Sequence, residues 1–475
     1  MIETPVNVPA SLEKPQAHQE DGLYEIHKKI HVRAVSGLFA GWRWGMVWLT
    51  QTIFYGICWL PWNDRQAVLF NLAERKFYIF GLVFWPQDVI FLAILLIISA
   101  YGLFLFTAVG GRLWCGYACP QTVYTEIFMW LEQKIEGDRQ ARLKLDAAPV
   151  SVRKLAIRGA KYGSWGVLAL WTGFTFVGYF TPIKPLLSSV IGLSLGPWET
   201  FWMFFYAGFT YLFAGHMREQ VCKYMCPYAR FQSVMFDADT LVITYDAERG
   251  DPRGARKKGV VPKSVGKGDC VDCGICVQVC PTGIDIRKGL QYECIGCAAC
   301  IDACDQVMEK MSYPKGLIRY STENAMAKKW NWQEIARHIV RPRIIVYSSI
   351  LVAICTAFVW GVLTKSPLIV DVIRDRGTLA REVQGGMIEN DYLLKVINVS
   401  EFPRTYSVTA TGLPDIEIVG VKTIDLAAAS NRSFTIQVRV AQNVAKPGAN
   451  RIYFDVVDVV DKSVAVHEKA SFLMP

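Results

Sequence analysis

Apolar residues gather in five long blocks, at residues 37–60, 88–109, 162–180, 198–214 and 344–363. A helix needs about 20 mostly apolar residues to cross the hydrocarbon of a bilayer, so each block predicts a membrane span. The fourth is the shortest and is full of Phe, Tyr and Gly, for which a buried or re-entrant helix is the competing reading. After residue 363 the pattern changes. Residues 392–399, 406–411, 416–421, 433–440 and 451–456 alternate apolar and polar positions, the period of a strand with one buried face. Gly412, Pro414, Asn431, Pro447 and Gly448 punctuate these runs. Short strands at such spacing predict a small all-β sandwich of immunoglobulin-like type. With no Cys pair and no clustered His or carboxylates, it reads as an interaction or stabilising domain.

The basic residues give the blocks an orientation. Arg112, Lys134, Arg139, Arg142, Lys144, Arg153, Lys154, Arg158 and Lys161 crowd the segment after the second block, whereas the turn after the third has only Lys184. Segments rich in Lys and Arg stay in the cytoplasm, so alternation places both the amino-terminal segment and the segment before the last block inside. Lys28, Lys29 and Arg33 precede a first block too long for a signal-peptide core, which predicts an uncleaved start. The expected plan is a multidomain membrane protein of a bacterial inner membrane. It comprises a cytoplasmic segment 1–36, an α-helical transmembrane core 37–236, a cytoplasmic cysteine-rich domain 237–343, a last span 344–363 and a periplasmic β-domain 364–475.

Composition agrees with that plan. The 475 residues are 52% hydrophobic and only 20% charged, with a mean hydropathy of +0.23, which excludes a disordered chain and a purely nucleic-acid-binding one. The net charge of +9 follows from the inside-positive bias. Arg253, Arg256, Lys257, Lys258, Lys263 and Lys267 form a basic run that a lipid headgroup or a nucleic acid would attract. A solvated cytoplasmic linker is the simpler reading.

Eight of the 14 cysteines lie between Cys270 and Cys304, a clustering that indicates metal and not disulfides. Cys270-x2-Cys273-x2-Cys276-x3-Cys280-Pro281 is followed by Cys294-x2-Cys297-x2-Cys300-x3-Cys304. This is the two-cluster bacterial ferredoxin spacing written twice, in which the fourth Cys of each run serves the other cluster. One 4Fe-4S cluster is therefore expected on Cys270, Cys273, Cys276 and Cys304, and the other on Cys294, Cys297, Cys300 and Cys280. Paired zinc knuckles are the alternative for C-x2-C pairs, and the doubled eight-cysteine spacing counts against them. Asp305 stands where Pro often follows the last ligand, a change in a turn that removes no sulfur.

A second pattern is rarer. Cys115-Gly116-Tyr117-Ala118-Cys119-Pro120 follows the second block, and Cys222-Lys223-Tyr224-Met225-Cys226-Pro227 follows the fourth. Both are C-x-Y-x-C-P after a span, which suggests an internal duplication. Pro favours the first position of a helix, so the second Cys of each copy is expected at an N-cap, where the helix dipole eases ionisation of a thiol. Two such pairs make one four-thiolate site or two dithiol sites, and packing residues are the competing reading. Neither copy has the C-x2-C spacing of a thioredoxin motif, which makes disulfide exchange the weaker functional reading. Thiolates with thioethers select Cu(I), and His216, Met217 and Met225 flank the second copy as weaker candidate ligands. Cys58 and Cys355, alone in apolar blocks, read as packing residues. No phosphate-binding glycine loop or C-x-x-C-H haem motif stands out.

The whole arrangement resembles the FixG/RdxA/CcoG family of cytochrome c oxidase accessory proteins, polyferredoxin-like membrane proteins. The resemblance rests on residues 77–88 (FYIFGLVFWPQD), 114–122 (WCGYACPQT) and 249–258 (RGDPRGARKK), with the eight ferredoxin cysteines and the β-domain. It implies a cupric reductase acting in assembly of a cbb3-type oxidase, with copper ion as substrate at Cys115, Cys119, Cys222 and Cys226. It also implies a homodimer, and as partners oxidase subunits or copper chaperones, fed by an unidentified cytoplasmic donor. A quinol-dehydrogenase-like relay and a non-catalytic assembly scaffold are the rival functions.

Overall fold

The computed structural model describes residues 29–374, 380–442 and 444–475. The expected amino-terminal segment thus lies outside the described residues as far as Lys28. In chain order the helices are α1 (Leu38–Ile57), α2 (Val89–Gly110), α3 (Leu113–Tyr117), α4 (Pro120–Glu136), α5 (Arg139–Ala147), α6 (Val152–Val177), α7 (Ile183–Ile191), α8 (Pro197–Thr210) and α9 (Pro227–Met235). They continue with α10 (Ala247–Gly250), α11 (Ile275–Gln278), α12 (Ala299–Met311), α13 (Glu323–Lys328), α14 (Trp332–Ile339) and α15 (Pro342–Leu363).

A helix occupies each of the five apolar blocks, as α1, α2, α6, α8 and α15. Among the described residues two helical stretches, Pro86–Gly110 and Pro342–Leu363, are long and apolar enough to cross a membrane by length and composition. The others fall short for visible reasons. Arg43 interrupts α1, α6 opens with Arg153, Lys154, Arg158 and Lys161, and α8 gives way at Tyr211 to π-helical turns, Tyr211–Met217 and Val221–Met225.

The long helices pair through small residues and rings. A Cβ on Gly173 of α6 would lie 3.0 Å from the Ala207 amide nitrogen of α8 and closer still to the Met203 carbonyl, so only glycine allows this approach. Phe91 meets Phe358 across α2 and α15, and Tyr101 meets Tyr347. Outward faces stay apolar: Leu92, Leu96 and Ile97 on α2, Trp198 and Phe204 on α8, and Val352 and Trp360 on α15 are all exposed. A soluble monomer rarely presents such a surface to water.

The helices run between two poles. At the first, Asp302 of α12 accepts the Phe39 and Ala40 amides at 3.1 and 2.7 Å, a carboxylate placed at the positive end of α1. Arg341 donates there to the Ala108 carbonyl at the end of α2 and pairs with Asp237. At the second pole lies a platform outside the predicted strands, made of β1 (Pro61–Trp62), β2 (Arg65–Gln66), β3 (Val68–Asn71), β4 (Lys76–Ile79) and β5 (Leu82–Phe84). Gln66 donates to the Gly178 carbonyl at 2.8 Å, and Lys365 reaches Asp88 at 2.6 Å.

The cysteine-rich domain is framed by the pair β6 (Val242–Tyr245) and β7 (Ile318–Ser321). The carboxy-terminal strands are β8 (Leu368–Arg374), β9 (Arg381–Val383), β10 (Met387–Asn398), β11 (Arg404–Thr411), β12 (Glu417–Val419), β13 (Thr423–Leu426), β14 (Ser430–Ala441), β15 (Gly448–Asp458) and β16 (Ala465–Met474). They form two antiparallel sheets, β12-β14-β10-β8 with β9 beside β10, and β13-β11-β15-β16. Tyr392, Val396, Tyr406, Ile436, Phe454 and Phe472 fill the core between them. This domain is fastened to the platform. Ile397 and Val399 pack with Leu69, Tyr78, Val83 and Trp85, while Glu401 takes Arg65, Trp62 and Asn63.

Candidate electron-transfer site

The eight ferredoxin cysteines line two adjacent cavities. One is lined by Cys270, Cys273, Cys276 and Cys304 with Tyr245, Met308 and Leu317. The other is lined by Cys280, Cys294, Cys297 and Cys300, together with Cys276, Ile243 and Ile286. Apart from Cys276, which lines both, the structure groups the eight thiols as the crossed pairing of the two runs would require. Apolar, thiol-lined spaces of this kind suit 4Fe-4S cubes. Gly274 and Ala298 hold left-handed backbone where the cysteine loops turn into α11 and α12. Among the described residues no three His, Cys, Asp or Glu side chains converge on a position for a single metal ion.

Burial governs these thiols. It pushes Cys276 and Cys297 up to about 11 and Cys294 and Cys304 up to about 12. Cys300 is raised well above the ordinary thiol value. Metal loading must displace those protons.

Two of the C-x-Y-x-C-P cysteines, Cys115 and Cys222, pack against residues that line the second cavity. Cys119 and Cys226 are the N-caps of α4 and α9, with Pro120 and Pro227 in the first turn, as the spacing predicts. Cys115 and Cys222 pack with Cys300 against the buried group formed by Val279, Ile295, Cys297 and Ala299. The four C-x-Y-x-C-P sulfurs also feel one another. Cys222 is raised to about 12, first by burial and then by the charges of Cys119, Cys115 and Cys226. Cys115 is raised to about 12 in the same way, with Arg112 opposing. Cys119 is raised too, because burial outweighs the Gln121 and Thr122 amides that favour its thiolate. Easy ionisation at that cap is therefore corrected: desolvation wins over the helix end until a cation displaces the proton.

The approach of the two sites is backbone to backbone. A Cβ on Gly116 would lie 2.8 Å from the Gly296 carbonyl and 2.9 Å from the Cys297 amide nitrogen. Tyr117 reaches the same loop through Tyr320, whose hydroxyl donates to the Gly296 carbonyl at 2.6 Å. The equivalent Tyr224 is exposed, so the two copies are alike in sequence and unlike in use. Gly116→Ala should be destabilising by about 1–3 kcal/mol, although alanine is the better helix former. Thermal unfolding in detergent measures this; a stability equal to wild type would show that the contact is not tight.

Two buried arginines flank the junction. Arg43 of α1 donates to the Cys297 carbonyl at 2.7 Å and lies 3.8 Å from Glu126. Arg112 donates to the Ala229 carbonyl at 2.6 Å, and its Nε has no hydrogen-bond partner among the described residues. Both put positive charge beside sulfur, which favours thiolate and electron-rich states. Sequence reading passed over Arg43, yet a lone cation inside an apolar block is a signal for function. A cavity lined by Cys222, Cys297, Arg43, Glu126 and Trp44 opens alongside.

The weaker candidates lie apart in kind. His216 is stacked on Tyr162 and edges Trp165, among rings, and Met225 is half exposed. Met217 ends the first π turn. Cys58 is fully buried in an apolar group, as a packing residue should be.

Three regions match known families: residues 217–323 a 4Fe-4S dicluster domain, residues 92–137 a 4Fe-4S binding domain, and residues 358–475 the Ig-like fold at the C-terminus of FixG. Over 423 residues the chain is 39% identical to the nitrogen fixation protein FixG of Rhizobium meliloti, covering 82% of this chain and 81% of that one. It is 37% identical to protein RdxB of Cereibacter sphaeroides over 441 residues, covering 91% and 92%. A crystal structure of a FixG-related protein from Vibrio parahaemolyticus aligns with 23% of this chain and 97% of its own, at 25% identity and a TM-score of 0.22.

Proposed function

Since the chain belongs to the FixG/RdxA family of iron-sulfur proteins, we propose that it passes single electrons from a cytoplasmic donor to Cu(II) at the C-x-Y-x-C-P cysteines, releasing Cu(I) for assembly of a cbb3-type oxidase. The observation that carries this reading is the packing of Cys115 and Cys222 against the group that holds Cys297 and Cys300. The 4Fe-4S clusters, when bound in the two cavities, take up and release one electron at a time. Cys270, Cys273, Cys276 and Cys304 would hold one, and Cys280, Cys294, Cys297 and Cys300 the other. Arg43 and Arg112 stabilise added negative charge at the set of Cys280, Cys294, Cys297 and Cys300. Each Cu(II) gains one electron and the relay loses one, while thiol protons leave as sulfur takes the ion. Thiolates bind the softer Cu(I) better, so the receiving site favours the product.

The helical core is read as five spans of a bacterial inner membrane. Its support is the apolar outward surface of the helices and the basic bias of the pole that carries the cysteines. The platform and the β-domain, in contact through Glu401 and the Ile397 group, then face the periplasm, where they could meet oxidase subunits or a copper chaperone.

A second reading has its own observation. Residues 92–137, which match a 4Fe-4S binding domain, include Cys115 and Cys119, so the four cysteines would hold a third cluster. The chain would then be a relay to another acceptor, such as a quinone. Iron analysis of anaerobic protein with Cys115, Cys119, Cys222 and Cys226 changed to Ser separates the readings. Unchanged iron with lost Cu(II) reduction supports the copper site, whereas loss of one cluster's iron supports the third cluster.

A further inference from the structure

The basic run at residues 253–267 contains six Lys or Arg and no Asp or Glu. The structure does not leave it as a loose linker. The Gly254 amide donates to the Cys270 carbonyl at 3.2 Å, the Cys270 amide to Gly250 at 3.3 Å, and Gly268 to Pro252 at 2.9 Å. Arg256 lies over the Tyr313 ring at 5.1 Å and donates to its hydroxyl, which itself donates to the Val260 carbonyl at 2.7 Å. The run is thereby wrapped onto the outer cysteine loop, while Arg253, Lys257, Lys258, Lys263 and Lys267 stay exposed.

That loop carries Cys273, the one exposed thiol of the eight. Tyr245 lines the outer cluster cavity and also the broad surface groove that includes Lys263 and Lys267, so a body seated in the groove is one side chain from the cavity. Arg287 bridges Asp272 at 2.5 Å and Asp285 at 2.8 Å, and Arg253 takes Asp251 at 3.1 Å. The groove itself is mixed in charge, with Arg249, Arg319 and Lys329 paired to Asp269, Asp246 and Glu248, so the excess positive charge lies on the collar, at Lys257, Lys258, Lys263 and Lys267.

We propose that this collar is the docking face of the electron donor, and that the donor is a small acidic one-electron carrier protein of the flavodoxin or ferredoxin kind. One electron leaves the reduced carrier and enters the centre held by Cys270, Cys273, Cys276 and Cys304, with no atom transferred. Anionic lipid would be drawn to the same charges. It gives no role to the exposed ligand thiol of Cys273, three residues from the Cys270 carbonyl that accepts from the run, and a protein carrier does. The proposal rests on the cluster assignment alone, and copper has no part in its test.

The experiment uses the full-length, cluster-loaded protein in nanodiscs and reduced flavodoxin as the probe, with cluster bleaching followed by stopped flow. The bimolecular rate should fall steeply with salt, and Lys257→Glu/Lys258→Glu/Lys263→Glu should slow it on the order of 10- to 100-fold. Reduction by photoreduced deazaflavin, a small molecule that needs no docking face, should proceed at the wild-type rate. A salt-insensitive rate, or an unchanged rate in the variant, overturns the proposal. So does a variant whose only defect is weaker binding to nanodiscs of anionic lipid, which would make the collar a headgroup patch. Absence of any bleaching by deazaflavin would instead strike at the cluster assignment.

Discussion

Changing Cys115, Cys119, Cys222 and Cys226 together to Ser is expected to abolish Cu(II) reduction while the iron-sulfur absorbance stays at its wild-type level. A serine hydroxyl is a hard ligand of very high pKa and does not select Cu(I), so both the receiving site and its preference for the product disappear. The cluster cavities are lined by the eight other cysteines and should keep their iron. A chelator specific for Cu(I), added to dithionite-reduced and desalted protein, reads the reaction directly. Single changes should grade the effect: Cys115→Ser and Cys222→Ser, which touch the group around Cys297, should cost more than Cys226→Ser. Full activity in the fourfold variant would remove copper from these sulfurs.

The second large effect is structural. Glu132 of α4 is 1% exposed and is held by Arg218 at 2.9 Å, Arg142 at 3.2 Å and Lys161 at 3.8 Å. Lys161 also pairs with Glu136 at 3.0 Å and lies over the Trp165 ring at 4.9 Å. One carboxylate thus joins α4, α5 and α6 to Arg218, which follows the first π turn and leads into the second C-x-Y-x-C-P motif. Glu132→Ala leaves three buried or half-buried cations short of a partner and should cost about 3–5 kcal/mol, lowering the melting temperature in detergent on the order of 10 °C.

The acid side follows from the same geometry. Burial pushes the Glu132 carboxyl up, but Arg218 and Arg142 together outweigh it and hold the group below the usual carboxylate range. A depressed value means that the ionised form stabilises the fold above the unfolded-state pKa, about 4.3, and that this stability is lost as pH falls through the folded value. Melting temperature should therefore drop on acidification below about pH 4 in the wild type, and Glu132→Gln should flatten that part of the profile. An acid limb with the same slope in both proteins would assign it to other carboxylates.

What the sequence disclosed depended on how local each signal was. The two cluster sets were legible because three thiols two residues apart wrap one cube and the distant Cys must reach across, a constraint carried entirely by spacing. Cys119 and Cys226 were placed at N-caps by the Pro that follows each. The five helices followed from apolar runs, although with Arg43 in α1, the basic start of α6 and the π turns after α8, two among the described residues pass as spans by length and composition.

Non-local features were not legible. The platform strands hold two to four residues each, too few for a period-two pattern to stand out, and Glu401 meets Arg65 only after the sandwich has folded. The sandwich strands β8, β9, β13 and β16 were likewise outside the alternating runs. Thiol acidity failed for the same reason: the cap position of Cys119 is local, whereas the burial that overrides it comes from the folded surroundings. Arg43 needed no pairing partner in sequence to be noticed, only its charge within an apolar block.

On the proposed function, sulfur at the helix ends and sulfur in the cysteine-rich domain form one redox unit. Its most direct measurement is an anaerobic EPR titration of the reduced wild-type protein with Cu(II). Loss of one reduced-cluster signal for each Cu(I) formed, without a persistent Cu(II) spectrum until the clusters are exhausted, is the predicted result. Cluster signals that persist beside unreduced Cu(II) would contradict it.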